Sequence, residues 1–351
     1  MIETIYCCCG KIGTRILTGK MAEKEWYSLR FSHGDPKGPR NWTEYNERLV
    51  MRGYSSFSLY WTHSMADELT EMNRGKRGAP FRYPRSMIVW ARNKHAQEGK
   101  DYRSLEGELR AIMSIVGGKA VSYSQMFKRC RDLDMMGAAV DELDPKWVRL
   151  KNLENSMVPG AVPIDGAGDA SGFRAAVRGE WMREKWKVRR GWVKLHALSD
   201  TRTNVVLSYS VTTEETGDAR MLLAMVDDAV ARGHWIKTVY IDGAYDTIKI
   251  WKGLKERGIG VVVNIRKDAA TRSRNGCPQR ALAARMRNGI GDKLWKTIHR
   301  YGRRWKAESV FSDLKRIFRE DLKAKSMGAM VREIDSKIIV HNMNKAVIWG
   351  N

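Results

Sequence analysis

The chain has 351 residues, enough for two domains with separate cores. Its 43% hydrophobic content suits a folded protein, but 63 Lys and Arg against 40 Asp and Glu leave a formal charge of +23. That surplus repels itself in a compact fold and finds its use on a polyanion, where neutralising phosphates releases counterions; it argues against an enzyme of small cytosolic substrates. No apolar run approaches the roughly 18 residues of a membrane-spanning helix, and no long apolar signal core opens the chain. Cys7, Cys8, Cys9, Cys130 and Cys277 match neither zinc-ligand spacing nor a disulfide framework. A reducing cytoplasm, in association with the nucleoid, is therefore the expected location, with no membrane partner.

Residues 1–20, with the "CCCG" run, are expected to be a leader, disordered and outside the fold. Residues 21–155 read as an all-α region. "NWTEYNERLVMRG" (41–53) starts at a capping Asn41 and stops at Gly53, which suits a short helix. "SMIVWARNKHAQEG" and "YRSLEGELRAIMSIVGG" predict two more, the second closed by Gly117 and Gly118. "VSYSQMFKRCRDLD" (121–134) then outlines the second half of a helix-turn-helix, with Lys128, Arg129 and Arg131 as candidate DNA contacts. Short basic helices are also commonly just solvated faces, so this pattern alone is weak.

After a linker, "LENSMVPGAVP" (153–163), short β-branched runs alternate with helices, and residues 156–351 read as an α/β domain. Strands are predicted at 161–169, 193–200, 204–213, 237–242 and 260–266, with helices at 217–233 and 247–258. One long helix is predicted from about Lys293 to Arg319. Three meandering strands followed by crossovers give the RNase H-like order, a mixed sheet flanked by helices.

Two aspartate pairs fall at strand ends: Asp165 and Asp169 in "VPIDGAGDASGF", Asp242 and Asp246 in "VYIDGAYD". A single Asp-Gly is usually only a turn. Two such pairs in one sheet, with a glutamate on a later basic helix, point further. In "YGRRWKAESVFSDLK" (301–315), a continuous helix sets Tyr301, Arg304, Glu308 and Lys315 on one side and leaves Asp313 on the surface. A plain Arg304–Glu308 pair at i,i+4 is the competing reading, worth a few tenths of a kcal/mol. Three carboxylates suit Mg²⁺ or Mn²⁺, which take oxygen ligands and drive in-line displacement at phosphorus in pairs.

These residues resemble the insertion-sequence transposases of the DDE class, in the group with a Tyr-(2)-Arg-(3)-Glu-(6)-Lys signature. Tyr301, Arg304, Glu308 and Lys315 complete that signature. "DASGF" with "RGEWMREKWKVRRGWVKLHALSD", "YIDGAYDT" and the N-terminal helical blocks resemble the group's other blocks, in the same order. The resemblance implies Asp169, Asp242 and Glu308 as ligands to two Mg²⁺ or Mn²⁺ ions, with Asp165 the alternative first acid. It implies Tyr301, Arg304 and Lys315 as contacts to transposon-end phosphates. It further implies cleavage at the element's inverted-repeat ends, joining of 3′-hydroxyls to target DNA, and a homodimer on double-stranded DNA. An RNase H-like structure-selective nuclease and a basic DNA-binding protein with a decayed site are the alternatives.

The 65 residues between Asp242 and Glu308 leave no room for the large β insertion of some members. Residues 266–325 carry 18 Lys and Arg against 6 Asp and Glu, so the flank of the expected site is cationic. Trp181, Trp186 and Trp192 lie among seven basic residues in 178–194, a pattern that suits base stacking or core packing. His196 is read as a core histidine. No "GxxxxGK[ST]" occurs, so ATP is not implied.

Overall fold

The computed structural model describes residues 59, 61–133, 163–175, 191–266, 269–272 and 276–349, with short pieces at 5–6, 12–13 and between 42 and 53. The 153–162 linker, Trp181 and Trp186, and most of 14–58 lie outside the described residues. The chain forms two compact units, 1–38 and 39–351. Within the first, β1 (Ile5–Tyr6) pairs antiparallel with β2 (Ile12–Gly13).

In the second unit the described residues between 42 and 53 are helical, and four helices follow: α1 (Trp61–Asn73), α2 (Arg85–Glu98), α3 (Tyr102–Val116) and α4 (Tyr123–Asp132). Asp101 starts α3 by accepting the backbone N–H groups of Arg103 and Ser104, both at 2.9 Å, which satisfies two of the helix's orphan donors. Leu105, Leu109 and Met113 recur every four residues and bury one face of α3. α4 buries Met126 and Cys130, so Lys128 and Arg131 face solvent. Arg129 is half-buried, with its guanidinium 5.5 Å from the Tyr83 ring centroid. α1 was not foreseen from the sequence. "WTHSMADELTEMN" mixes polar residues over most of its faces, and Trp61 is its one buried residue.

Among the described residues six strands form one sheet: β3 (Ile164–Ala175), β4 (Trp192–Asp200), β5 (Val206–Thr213), β6 (Ile236–Ile241), β7 (Gly260–Val263) and β8 (Asp321–Leu322). The main path runs β5-β4-β3-β6-β7. β3, β4 and β5 are antiparallel neighbours, while β6 and β7 run parallel to β3. Helices α5 (Asp218–Ala231) and α6 (Ile248–Glu256) supply the crossovers. This is the RNase H-like arrangement expected from the element order. β3 runs well past the predicted end at 169, because the antiparallel β4 ladder continues to Arg174.

The predicted helix 293–319 is broken. α7 (Pro278–Ile290) and α8 (Asp292–Ile298) precede a 3₁₀ turn, Tyr301–Arg304, and then α9 (Trp305–Phe318). Arg300, at φ 50°, makes the break. The reason is packing. Six residues of α-helix turn through about 600°, which would point Trp295 and Tyr301 about 120° apart. Both rings enter the same core, with centroids 6.4 Å apart, so the chain must turn between them.

α10 (Met327–Trp349) closes the unit. Its Met330, Ile334 and Ile338 join the core beneath β3, β4 and α9, while Ile339 and Met343 join the core of the N-terminal helices. The Asn342 side chain bonds both the N–H and the C=O of Val206, each at 2.9 Å, and so pairs part of the edge strand β5. Among the described residues no helix is long and apolar enough to cross a membrane.

Asp313, expected on the surface, instead ties α9 to α10 through Lys345 at 2.6 Å and also holds Arg316 at 3.0 Å. Burial alone would raise its carboxyl, but the Lys345 and Arg316 bonds outweigh that and hold it below the usual range. A folded value below the unfolded one contributes stability that is complete above about pH 4 and is lost as pH falls through the folded value. Asp313→Asn should therefore flatten the acid limb of stability measured by urea unfolding between about pH 2 and 5. An unchanged acid limb would contradict this.

Candidate metal and DNA site

The site lies where one edge of β3 lacks a partner. β6 pairs with β3 as far as Gly168, and β8 pairs from Arg174 onward. Asp169 to Phe173 therefore have no strand neighbour on that side among the described residues. Asp169 is the first residue of this gap, and Asp242 follows Ile241, the last residue of β6 and the partner of Gly168. The two aspartates are thus brought side by side. Alternation along β3 sends Asp165, Ala167, Asp169 and Phe173 to one face. Phe173 packs there with Val310, Phe311 and Leu314, which places α9 on that face.

The 3₁₀ turn and α9 supply the third carboxylate and its cation. Arg304 reaches Glu308 Oε1 at 2.5 Å and Asp169 Oδ2 at 3.8 Å, with its side chain 14% exposed. Arg303 pairs with Asp165 and lies 6.0 Å from the Tyr240 ring centroid. Asp165 is thereby engaged about 13 Å along the strand from Asp169, at 3.3 Å per residue, and lies beside Thr238 rather than Asp242. Arg303 was missed in the sequence, because only the folded 3₁₀ turn shows that adjacent arginines meet alternate aspartates of one strand face.

The electrostatics follow. Burial pushes the Asp169 carboxyl up, and the charges of Asp242 and Glu308 add to it; the Ala170 N–H and Arg304 oppose. Arg304 is the positive charge that offsets this repulsion, and its own pKa is raised against burial by Glu308, Tyr301 and Asp242. Among the described residues no three His, Cys, Asp or Glu side chains close on one point as metal ligands. Asp169, Asp242 and Glu308 nonetheless offer only oxygen donors, and the last two lie near enough for their charges to act on Asp169, a chemistry that fits an oxygen-seeking divalent ion in kind. The competing Arg304–Glu308 pair is therefore real, and it is part of the cluster.

The remaining candidates are placed as follows. Tyr301 is 8% exposed, inside the core, with Lys296 and Arg304 at 5.8 and 5.9 Å from its ring centroid. Burial pushes its hydroxyl up to about 12. Lys315 stands 5.8 Å from the Phe173 ring, at the far end of the gap in β3. Lys128, Arg129 and Arg131 sit on α4, and Arg131 is paired with Asp132. His196 is fully buried, with Nε2 2.8 Å from Thr212 Oγ1, which agrees with its reading as a core residue. Trp192 packs over Gly172, where an added Cβ would lie 3.0 Å from the ring. This tryptophan is accounted for by packing.

A second network underlies Asp242. Asp246 has no exposed side chain and takes Arg280 through two bonds of 2.7 Å, the Trp251 indole at 3.0 Å and the Arg266 N–H at 3.3 Å. Burial would raise its carboxyl, but these partners hold it below the usual range. Between the two aspartates, Gly243 lies so close to the next strand's chain that a Cβ would sit 2.9 Å from the Asn264 carbonyl oxygen. "DGAYD" is thus a short turn clamped at both ends.

A family model described as the transposase DDE domain matches residues 163–343. The chain belongs to this family. Among curated proteins none matches it. Among solved structures it is similar to a piggyBac transposase synaptic complex with hairpin DNA, at 9% identity and TM-score 0.35, over 85% of this chain and 74% of that one. It is also similar to a Mos1 mariner paired-end complex with Mn, at 14% identity and TM-score 0.22, over 68% and 81% of the two chains. The Mos1 strand transfer complex gives 15% identity and TM-score 0.23, over 68% and 80%. The strand order and the family match carry the fold, not these likenesses.

Proposed function

We propose that this protein binds the inverted-repeat ends of its own element, cleaves them by metal-dependent phosphodiester hydrolysis and joins the resulting 3′-hydroxyls to target DNA. The observation that carries this reading is the gathering of Asp169, Asp242 and Glu308 at the open edge of β3 around the Arg304 guanidinium, in a chain of formal charge +23. Asp169, Asp242 and Glu308 would hold Mg²⁺ or Mn²⁺, two ions in the full site. Such ions activate a water or hydroxyl and neutralise charge on the departing oxygen.

The chain's own groups set the rest. Arg304 must release Asp169 and Glu308, and a DNA phosphate offers it another anion. Buried Tyr301 keeps the 3₁₀ turn seated, so it positions Arg304 rather than touching DNA. Lys315 lies along the gap in β3, where a flanking phosphate would follow the reacting one. The basic face of α4 would hold the duplex away from the reacting bond. A homodimer on double-stranded DNA and action at the nucleoid belong to the same reading, as does the division into a helical DNA-binding region, 21–155, and a catalytic region, 156–351.

Purified protein, labelled duplex with the element's terminal repeats, target plasmid and Mg²⁺ form the test. Joined product is expected. Cut but unjoined product would favour a structure-selective nuclease, and bound but intact DNA a decayed binding protein.

A further inference from the structure

Directly after Asp242 the chain lines an open cavity of about 380 Å³, to which Asp169, Asp242 and Glu308 contribute no lining. It is lined by Gly243, Ala244, Asn264 and Ile265, together with the charged groups of Arg266, Arg287, Lys296 and Asp292. Three cations thus face one carboxylate. Asp292 holds Arg287 at 2.8 Å and Lys296 at 2.7 Å, and Arg287 Nη1 also donates to the Ile265 carbonyl at 2.6 Å. Arg287 and Lys296 are thereby fixed against the cavity. Arg266 lines the cavity, is exposed, and makes no ion pair among the described residues. Its backbone N–H is held by Asp246, so the base of this side chain is fixed by the clamp beneath Asp242.

We propose that this cavity is a phosphate subsite, taking a backbone phosphodiester of the bound DNA one or two nucleotides from the bond at Asp242. It rests on the reading of the carboxylates as the reacting centre. The position follows from the chain: Gly243 and Ala244 line the cavity directly after Asp242, and phosphates recur every 3.4 Å of helix axis along each strand. The chemistry follows from the charges. Arg266 supplies a planar fork of donors suited to a phosphate, and the pair held by Asp292 supplies fixed positive charge behind it. Lys296 also lies 5.8 Å from the Tyr301 ring centroid, whose other cation is Arg304. The subsite and the carboxylate cluster thus meet across one tyrosine. Such a contact would fix the strand's register without reading its sequence.

The experiment compares full-length wild type, Arg266→Ala and Asp292→Asn on terminal-repeat duplex without metal, at several salt concentrations, after confirming equal thermal unfolding. Arg266→Ala is expected to weaken binding about five- to twentyfold and to lower the salt slope by about 0.9, the share of one phosphate. Asp292→Asn is expected to tighten binding, since it removes the anion that competes for Arg287 and Lys296. A purely structural role would weaken binding in both variants. Ethylation of single phosphates provides the position: one phosphate within two nucleotides of the cut should block wild type and be tolerated by Arg266→Ala. If wild type binds the ends but Arg266→Ala keeps the full salt slope and the same interference pattern, the subsite is refuted. Wild type that neither binds nor cuts the ends would instead overturn the reading on which the subsite rests.

Discussion

Asp242→Ala is expected to bind terminal-repeat DNA as tightly as wild type and to cleave it at least about a thousandfold more slowly, since several kcal/mol of metal-borne stabilisation disappear with the ligand. Asp169→Ala and Glu308→Ala should behave alike. The informative contrast is Asp165→Ala. Asp165 has its own partner in Arg303 and lies four residues along the strand from Asp169, beside Thr238. Its loss should leave cleavage within a few-fold of wild type. A gel of end cleavage under saturating protein, with binding measured separately, decides the matter. Cleavage by Asp242→Ala within tenfold of wild type would remove the metal assignment, and a dead Asp165→Ala beside an active Asp169→Ala would exchange the two aspartates.

The second large effect concerns stability. Arg280→Ala strips Asp246 of a two-bond partner while the carboxylate stays fully buried. Breaking one side of such a pair typically costs about 3–5 kcal/mol, because an uncompensated charge remains inside. The double variant Arg280→Ala with Asp246→Asn should recover much of the loss. Urea unfolding of the two singles and the double closes the cycle. Additive effects would mean that the two residues do not act as a unit. Because Asp246 anchors the turn that begins at Asp242, the single variant should also show slowed cleavage at temperatures where it remains folded.

β4 to β7 and the crossover helices were legible because each is a short β-branched run or an amphipathic stretch bounded by turn residues, whereas glycine-rich β3 hid its far end and two-residue β8 gave no pattern. Asp242 was legible for the same reason: an aspartate that closes an apolar strand stands out. The break at Arg300 was not. It arises from two aromatic rings seeking one core, and a charge pattern read at 100° per residue conceals it. For that reason Tyr301 was placed in a column with Arg304 and Glu308 on one continuous helix, whereas it sits in a 3₁₀ turn with its ring in the core. Asp313 looked like a surface acid because its partner, Lys345, lies 32 positions away. Arg303 and Arg280 were equally hidden. One cation among 18 in a basic stretch carries no mark of the carboxylate it will meet.

α10 has a consequence for the order in which the protein becomes itself. One face of this helix completes the core under the sheet, and another completes the core of helices that begin more than 200 residues earlier. A chain emerging from a ribosome can form α1–α4, but their shared interior stays unfinished until residues as late as Ile339 and Met343 arrive. Contacts of that sequence separation form late and slowly. The interior of α1–α4 is therefore completed only after Asp169, Asp242 and Glu308 have all been made, and the helical core and the core under the sheet become whole with the same last helix.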